Sequence, residues 1–257
     1  MNLIINYDQS EARLIEFACE QAMAAISHAW DEERDPNIVL TGGRTGAKIA
    51  KALDLQLARA ISERIEKQNA IKLPKKLNIW LSDERFVNAG DQDRTGSVLL
   101  AEFVTAGDEI NFQQVIGPMQ SSLEGAAQEY EARLKSALNK NIGSGRFDAV
   151  ILSMGEDGHV ASCFPGDTQI LASQDLTASI PNSPKPPKER VTLTLHALAQ
   201  TTLVLVFALG SAKSAAISQT IAEDKTMPLE LLRQNSTVGR ISILTDQKLD
   251  KGVTHGI

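Results

Sequence analysis

Residues 153–166, SMGEDGHVASCFPG, bring acids, an imidazole and three glycines together directly after an apolar run. That run, residues 147–152, reads as a buried strand. A strand that opens into a glycine-rich turn sets side chains at the carboxyl edge of a parallel sheet, where open α/β folds gather their ligands. His159 is therefore the first candidate for chemistry. It is one of four histidines, and imidazole is the side chain whose ordinary pKa lies nearest neutrality, which suits proton transfer. The same residues permit a plainer reading, in which Gly155 and Gly158 only turn the chain and His159 caps the next helix.

Three further strand ends carry candidates. Apolar residues 38–41 lead into TGGRTGAKIAKAL, so Gly42 and Gly43 stand between a strand and a helical pattern bearing Ile49, Ala50, Leu53 and Leu57. Glycines let backbone amides approach an anion, and the first turn of a helix favours negative charge. The loop contains neither GxxxxGK[ST] nor GxGxxG, which argues against an NTPase or a dinucleotide fold. The strand at 77–81 runs into Asp83, Glu84 and Arg85, charges that suit a solvated face or an ion pair as readily as a site. The strand at 203–209 runs into GSAKSAAI, with Lys213 in the first turn of a helix. A cation there opposes the helix dipole unless an anion shares the same end.

These ends need a framework. Apolar segments at 3–7, 38–41, 77–81, 114–117, 147–152, 203–209 and 241–244 are separated mostly by stretches with helical spacing. The alternation predicts an α/β fold, a mainly parallel sheet with helices on both faces. Ser10 is expected to cap a helix to about residue 29, with Leu14, Phe17, Ala18, Ala22 and Ile26 on one face. Asp93 is expected to cap a helix running to about residue 104, and another helix is expected over 122–138, closed by turn residues at 141–145. Pro181, Pro184, Pro186 and Pro187 forbid a continuous helix or central strand across 171–189. That stretch reads as a wall beside the site or as a linker; its two lysines, with Arg190 at its end, favour the wall. Val191, Leu193 and Leu195 alternate with Thr192 and Thr194 as in a half-buried strand, leaving His196 as a surface or capping residue.

A chain of 257 residues can bury a sizeable core, as one large domain or two small ones. Its 42% apolar and 23% charged residues are ordinary for a soluble enzyme-like globule. An aromatic share of 4% argues against a base-stacking surface. The net charge of −6 disfavours nucleic acid or an anionic membrane as a partner, while leaving room for a local basic pocket. Cys19 and Cys163 lack any CxxC or metal spacing, so neither a disulfide framework nor structural zinc is expected, and a reducing cytoplasm fits. Cys163 follows His159 by four residues, as a thiolate–imidazolium pair on a helix would require, but nothing accompanies them as an orienting group, and packing is the preferred reading. Residues 203–209, the longest apolar run, are too few to span a bilayer, and MNLIINYD does not resemble an export signal.

The Gly-Gly loop at Gly42, DER at 83–85, GEDGHVASCFPG, SPKPPKERVTLT at 183–194 and GSAK at 210–213 together resemble the 6-phosphogluconolactonase family. That family is related to the glucosamine-6-phosphate deaminases and ribose-5-phosphate isomerases. The resemblance implies a single Rossmann-like three-layer α/β domain over 1–257. It implies hydrolysis of 6-phosphogluconolactone to 6-phosphogluconate in the pentose phosphate pathway, with no metal and no organic cofactor. The expected partner is a small sugar-phosphate lactone, and the protein itself is expected to be a cytoplasmic monomer or small homo-oligomer. Two departures stand out: Arg44 and Gly46 occupy positions where relatives commonly carry Ser and Pro. Where the deaminases carry a Glu before the Pro, this chain has Phe164, which favours lactone hydrolysis over aldose–ketose chemistry.

Such a lactone needs a positioned water, a base, and relief for the charge developing on its carbonyl oxygen. His159 is the candidate base, with Asp157 or Asp83 orienting it, and Arg85 beside the glycine amides as helper for the oxyanion. Gly42, Gly43, Arg44, Arg85, Arg190 and Lys213 are the candidate phosphate ligands. Two rivals use the same fold: an amino-sugar phosphate deaminase or isomerase, and a non-catalytic sugar-phosphate-binding module. Sensors of the second kind usually carry a helix-turn-helix module, for which this chain has no basic N-terminal extension.

Overall fold

A computed structural model describes residues 2–68, 75–139, 145–235, 237–249 and 254–256. The elements begin with β1 (Asn2–Tyr7), α1 (Glu11–Asp31), β2 (Asn37–Leu40), α2 (Gly43–Gln68), β3 (Leu77–Leu81), β4 (Asp83–Arg85) and α3 (Thr95–Ala101). There follow β5 (Ile110–Gln113), α4 (Leu123–Asn139), β6 (Ala149–Ser153), α5 (Thr168–Leu171), β7 (Thr177–Ile180), β8 (Arg190–Leu193) and α6 (Leu195–Leu198). The last are β9 (Leu203–Phe207), α7 (Ser214–Ile221), α8 (Pro228–Gln234), β10 (Arg240–Thr245) and β11 (Thr254–Gly256).

Eight strands form one sheet in the order β11-β1-β10-β9-β6-β2-β3-β5, and every neighbouring pair is parallel. Alternate strand residues feed opposite layers, as the two-residue period of a strand requires. Ile38, Leu40, Ile79 and Ile151 pack with Leu14 and Ile26 of α1 and Leu53 and Leu57 of α2. Val39, Trp80, Val150 and Leu152 pack with Tyr130 and Leu134 of α4 and Leu229 of α8. Burial on both faces is why these strands read as unbroken apolar runs, and the Rossmann-like three-layer α/β fold follows. Helix α1 starts where expected, with Ser10 Oγ accepting from Arg13 N at 3.4 Å.

Strand order locates the ligand crevice. From β2, strands β3 and β5 extend the sheet one way; β6 returns to the other side of β2, and β9 and β10 continue in the opposite direction. The reversal lies between β2 and β6, and the space beyond the carboxyl ends of two such strands is where an open α/β sheet takes its ligand. Gly42 and Gly43 follow β2, and His159 lies on the turn after β6.

Several expectations are corrected. The strand placed at 114–117 is instead β5 at Ile110–Gln113. Arg133 Nη2 takes the Gln114 carbonyl at 2.5 Å and Arg94 takes that of Val115, so the backbone there bonds to guanidinium groups rather than to a neighbouring strand. Asp93 does not cap α3, which starts at Thr95 and ends at Ala101; the carboxylate of Glu84 supplies the cap from a distance. Asp83–Arg85 is no mere strand terminus but a short strand, paired antiparallel with β8, and β7 completes a three-stranded sheet as its edge. Strand β8 is buried on both faces rather than one, and Thr194 ends the alternation by capping α6, on which His196 is half-buried. Most of the turn expected at 141–145 lies outside the described residues.

Candidate functional site

Beyond β2 and β6 lies a cleft of about 320 Å³ whose walls include Gly42, Gly43, Asp83, Arg85, His159, Arg190 and Lys213. Arg44 is exposed and lines an adjoining cavity of about 560 Å³, which shares Gly42, Gly43, Ser153 and Lys213 with the first. Asp157 reaches the cleft through His159. Its Oδ1 stands 2.5 Å from His159 Nδ1.

The turn after β6 is built around that contact. Gly155 N–H donates to the His159 carbonyl at 2.8 Å, and Gly158 N–H to the Gly155 carbonyl at 3.0 Å. Gly158 has φ of 85°, a left-handed conformation that glycine adopts without steric cost. A Cβ at Gly155 would overlap His159 Nδ1 and Asp157 Oδ1, so the imidazole rests directly on glycine backbone. Phe164 packs against the ring at a centroid distance of 4.6 Å. The His159 side chain is 16% exposed. Burial lowers its pKa below the ordinary 6.5, outweighing the upward pull of Asp157. Asp157 is itself pushed up by burial, but the bond to His159 and the charges of His159 and Lys185 leave its pKa below the usual value. A neutral ring facing an ionised carboxylate carries its proton on Nδ1 and its lone pair on Nε2.

Asp83, the other acid considered for this role, is committed elsewhere. Its Oδ2 accepts from Ser162 Oγ at 2.7 Å and lies 3.7 Å from Arg190 Nη1, and it acts on His159 only through space. Arg190 is 5% exposed on its side chain. Its Nε donates to the Pro187 carbonyl at 3.1 Å, and its Nη2 to those of Lys185 and Pro186 at 3.0 and 3.3 Å. The guanidinium thus clamps the proline-rich loop, and only Nη1, 3.5 Å from Ser162 Oγ, is not bonded to a backbone carbonyl. That loop walls the cleft by placing Lys185 in its lining.

Arg85 pairs opposite Arg190 across the antiparallel ladder, and its Nη1 donates to the Asp93 carbonyl at 3.0 Å. Glu84, the residue before Arg85, is fully buried and accepts from the amides of Arg85, Thr95 and Gly96 at 2.8, 2.8 and 2.6 Å. Burial nonetheless pushes its carboxyl pKa up. By holding the start of α3, Glu84 fixes Thr95 beside the glycine loop, where a Cβ at Gly42 would overlap Thr95 Cγ2. Across the cleft, burial pulls the pKa of Lys213 down. Gly210, at φ of 89°, begins the turn that carries it and donates its N–H to Asp246 Oδ1 at 2.8 Å.

Sequence reasoning did not single out Lys185, Glu156, Thr95 or Ser162. The proline-rich stretch was legible as a wall candidate; which of its lysines turns inward was not. Cys163 is fully buried, with Sγ 3.6 Å from the Leu193 carbonyl and its thiol pushed up to about 12 by desolvation. No helix connects it to His159, so a thiolate–imidazolium pair does not form.

Among the described residues no helix is long and apolar enough to cross a membrane. Residues 9–241 match the family model described as glucosamine-6-phosphate isomerases/6-phosphogluconolactonase. The chain is 33% identical over 177 residues to a probable 6-phosphogluconolactonase of Drosophila melanogaster, covering 68% of this chain and 70% of that protein. It is 30% identical over 167 residues to a probable chloroplastic 6-phosphogluconolactonase of Oryza sativa, where the match covers 61% of this chain and 52%, about half, of the relative. A crystal structure of a 6-phosphogluconolactonase from Shewanella baltica superposes with a TM-score of 0.76 at 21% identity, covering 95% of this chain and 97% of the other, and so shares the fold. With the model spanning most of its length and the glycine loop, DER strand and histidine turn converging on one cleft, the chain belongs to the glucosamine-6-phosphate isomerase/6-phosphogluconolactonase family.

Proposed function

We infer that this chain hydrolyses 6-phosphogluconolactone to 6-phosphogluconate, with His159 as the general base. The observation that carries this reading is the His159–Asp157 contact at 2.5 Å inside a cleft that also holds the paired glycines and Lys213. Nε2 of the neutral ring takes a proton from water as the water oxygen bonds to the lactone carbonyl carbon. Arg85 and the glycine-loop amides stabilise the oxyanion, a term of about 3 kcal/mol per donor in other enzymes. The tetrahedral intermediate then expels the ring oxygen, which receives the proton from the imidazolium, and the new carboxylic acid ionises to solvent. Binding the phosphate at Gly42, Gly43 and Lys213 orients the carbonyl toward His159. Phe164 supports hydrolysis over the deaminase reaction of the same family, because it sets an apolar ring against the imidazole where the deaminases carry a carboxylate.

Freshly generated lactone should open faster with the protein than without it, and glucosamine-6-phosphate should release no ammonia. Because burial holds His159 below 6.5, kcat/KM should be level above that pH and fall as acid protonates the base, with the midpoint of the fall below pH 6.5. No acceleration over the spontaneous rate at pH 7 would overturn the assignment.

Lys213 acts at the phosphate end. Lys213→Ala is expected to raise KM roughly tenfold or more, the loss of one charge-assisted hydrogen bond, while leaving kcat within a few-fold. Steady-state kinetics distinguishes this from a loss in kcat alone.

A further inference from the structure

We propose that Lys185 is a positioning residue for this reaction, its ammonium bracing the Asp157 carboxylate that orients His159. The proposal rests on the reading of His159 as base. Its geometry is a shared oxygen: Asp157 Oδ1 meets His159 Nδ1 at 2.5 Å and Lys185 Nζ at 3.3 Å. Asp157 is 40% exposed and the Lys185 side chain 43%, so neither is held by burial. The Lys185 backbone is tied at both its carbonyl and its amide. Arg190 Nη2 takes the Lys185 carbonyl at 3.0 Å, Lys185 N–H donates to Ser183 Oγ at 3.3 Å, and Ser183 N–H to the Lys188 carbonyl at 2.9 Å. The loop thus holds an ammonium against the outer side of the dyad, and Arg190 acts on the chemistry by fixing that loop.

The charges around the imidazole set the sign of the effect. Asp157 on its own turn and Asp83 on β4 favour the imidazolium; Lys185 opposes it, with Arg85, Arg190 and Lys213 as further cations and Glu156 as a further acid in the cleft lining. Lys185 therefore does two things at once. It keeps the carboxylate ionised and placed, and it favours the neutral ring that accepts the water proton.

The test is a set of pH–rate profiles on wild type, Lys185→Met and Lys185→Arg, with the His159 ring titrated by NMR in each and its signal assigned from His159→Gln. Lys185→Met should lower kcat at pH 7 several-fold and move both the acid limb and the ring titration upward by roughly 0.5–1 pH unit, as expected for removing a cation a few ångströms away. Lys185→Arg should restore both. An unshifted titration in Lys185→Met, or a rise in KM with no movement of the limb, overturns the proposal, since the lysine would then be a wall residue or a direct substrate contact. If His159→Gln retains the wild-type rate, the general-base reading fails instead, and the positioning role falls with it. Either failure is recognisable independently, because the ring titration does not depend on turnover.

Discussion

Replacing His159 with alanine is expected to slow enzymatic lactone opening by 10²–10⁴-fold, the usual range for losing a positioned general base. Binding of 6-phosphogluconate should persist, because the glycine loop and Lys213 lie on other elements and neither bonds to the imidazole. Turnover measured beside product binding by calorimetry separates the two. The ring lies in a polar crevice at the sheet edge, so removing it opens space toward solvent rather than a void in the apolar layers, and the thermal midpoint should change little. An unaltered rate would remove His159 from the mechanism; lost binding with intact turnover would assign it to the substrate's anchoring end.

The second large effect comes from a residue with no side chain. Gly155→Ala places a methyl where His159 Nδ1 and Asp157 Oδ1 now meet. The neighbours are not the free end of a flexible chain, because the ring is held by Asp157 and Phe164. Either the 2.5 Å contact opens or the turn between Gly155 and Gly158 distorts. A displacement of an ångström at the reacting group costs on the order of 10²-fold in rate, so the variant should lose activity on that scale while retaining every ionisable group. The ring titration reports the cause directly: His159 should lose its coupling to Asp157. A fully active Gly155→Ala would show that the imidazole works from another position.

The framework was legible because buried parallel strands announce themselves as short apolar runs, and six of the seven marked segments fall on strands of the large sheet. The glycines and His159 were legible because they stand immediately beyond those runs. What could not be read was partner choice. Asp157 and Asp83 are equivalent as sequence; only the fold turns one onto the imidazole and the other onto Ser162 and Arg190. Arg190 reads from its charge as a phosphate ligand, yet most of its donors hold carbonyls of its own loop. Glu84 reads as one of three charges suited to a solvated face, an ion pair or a site, and is a fully buried helix cap. In each case the local pattern specifies a charged group near a strand end, and long-range packing decides what it meets.

The pairing of β1 has a consequence for how the chain is made. Its neighbours in the sheet are β10 and β11, drawn from residues 240–245 and 254–256. The ladder of β1 therefore closes only after more than two hundred further residues have been made. During that interval LIIN presents open backbone donors and acceptors flanked by apolar side chains, the kind of edge that recruits foreign strands. Until β10 and β11 arrive beside it, a nascent molecule of this kind needs shelter from its neighbours, and a chain that stops short of residue 240 leaves β1 without either strand.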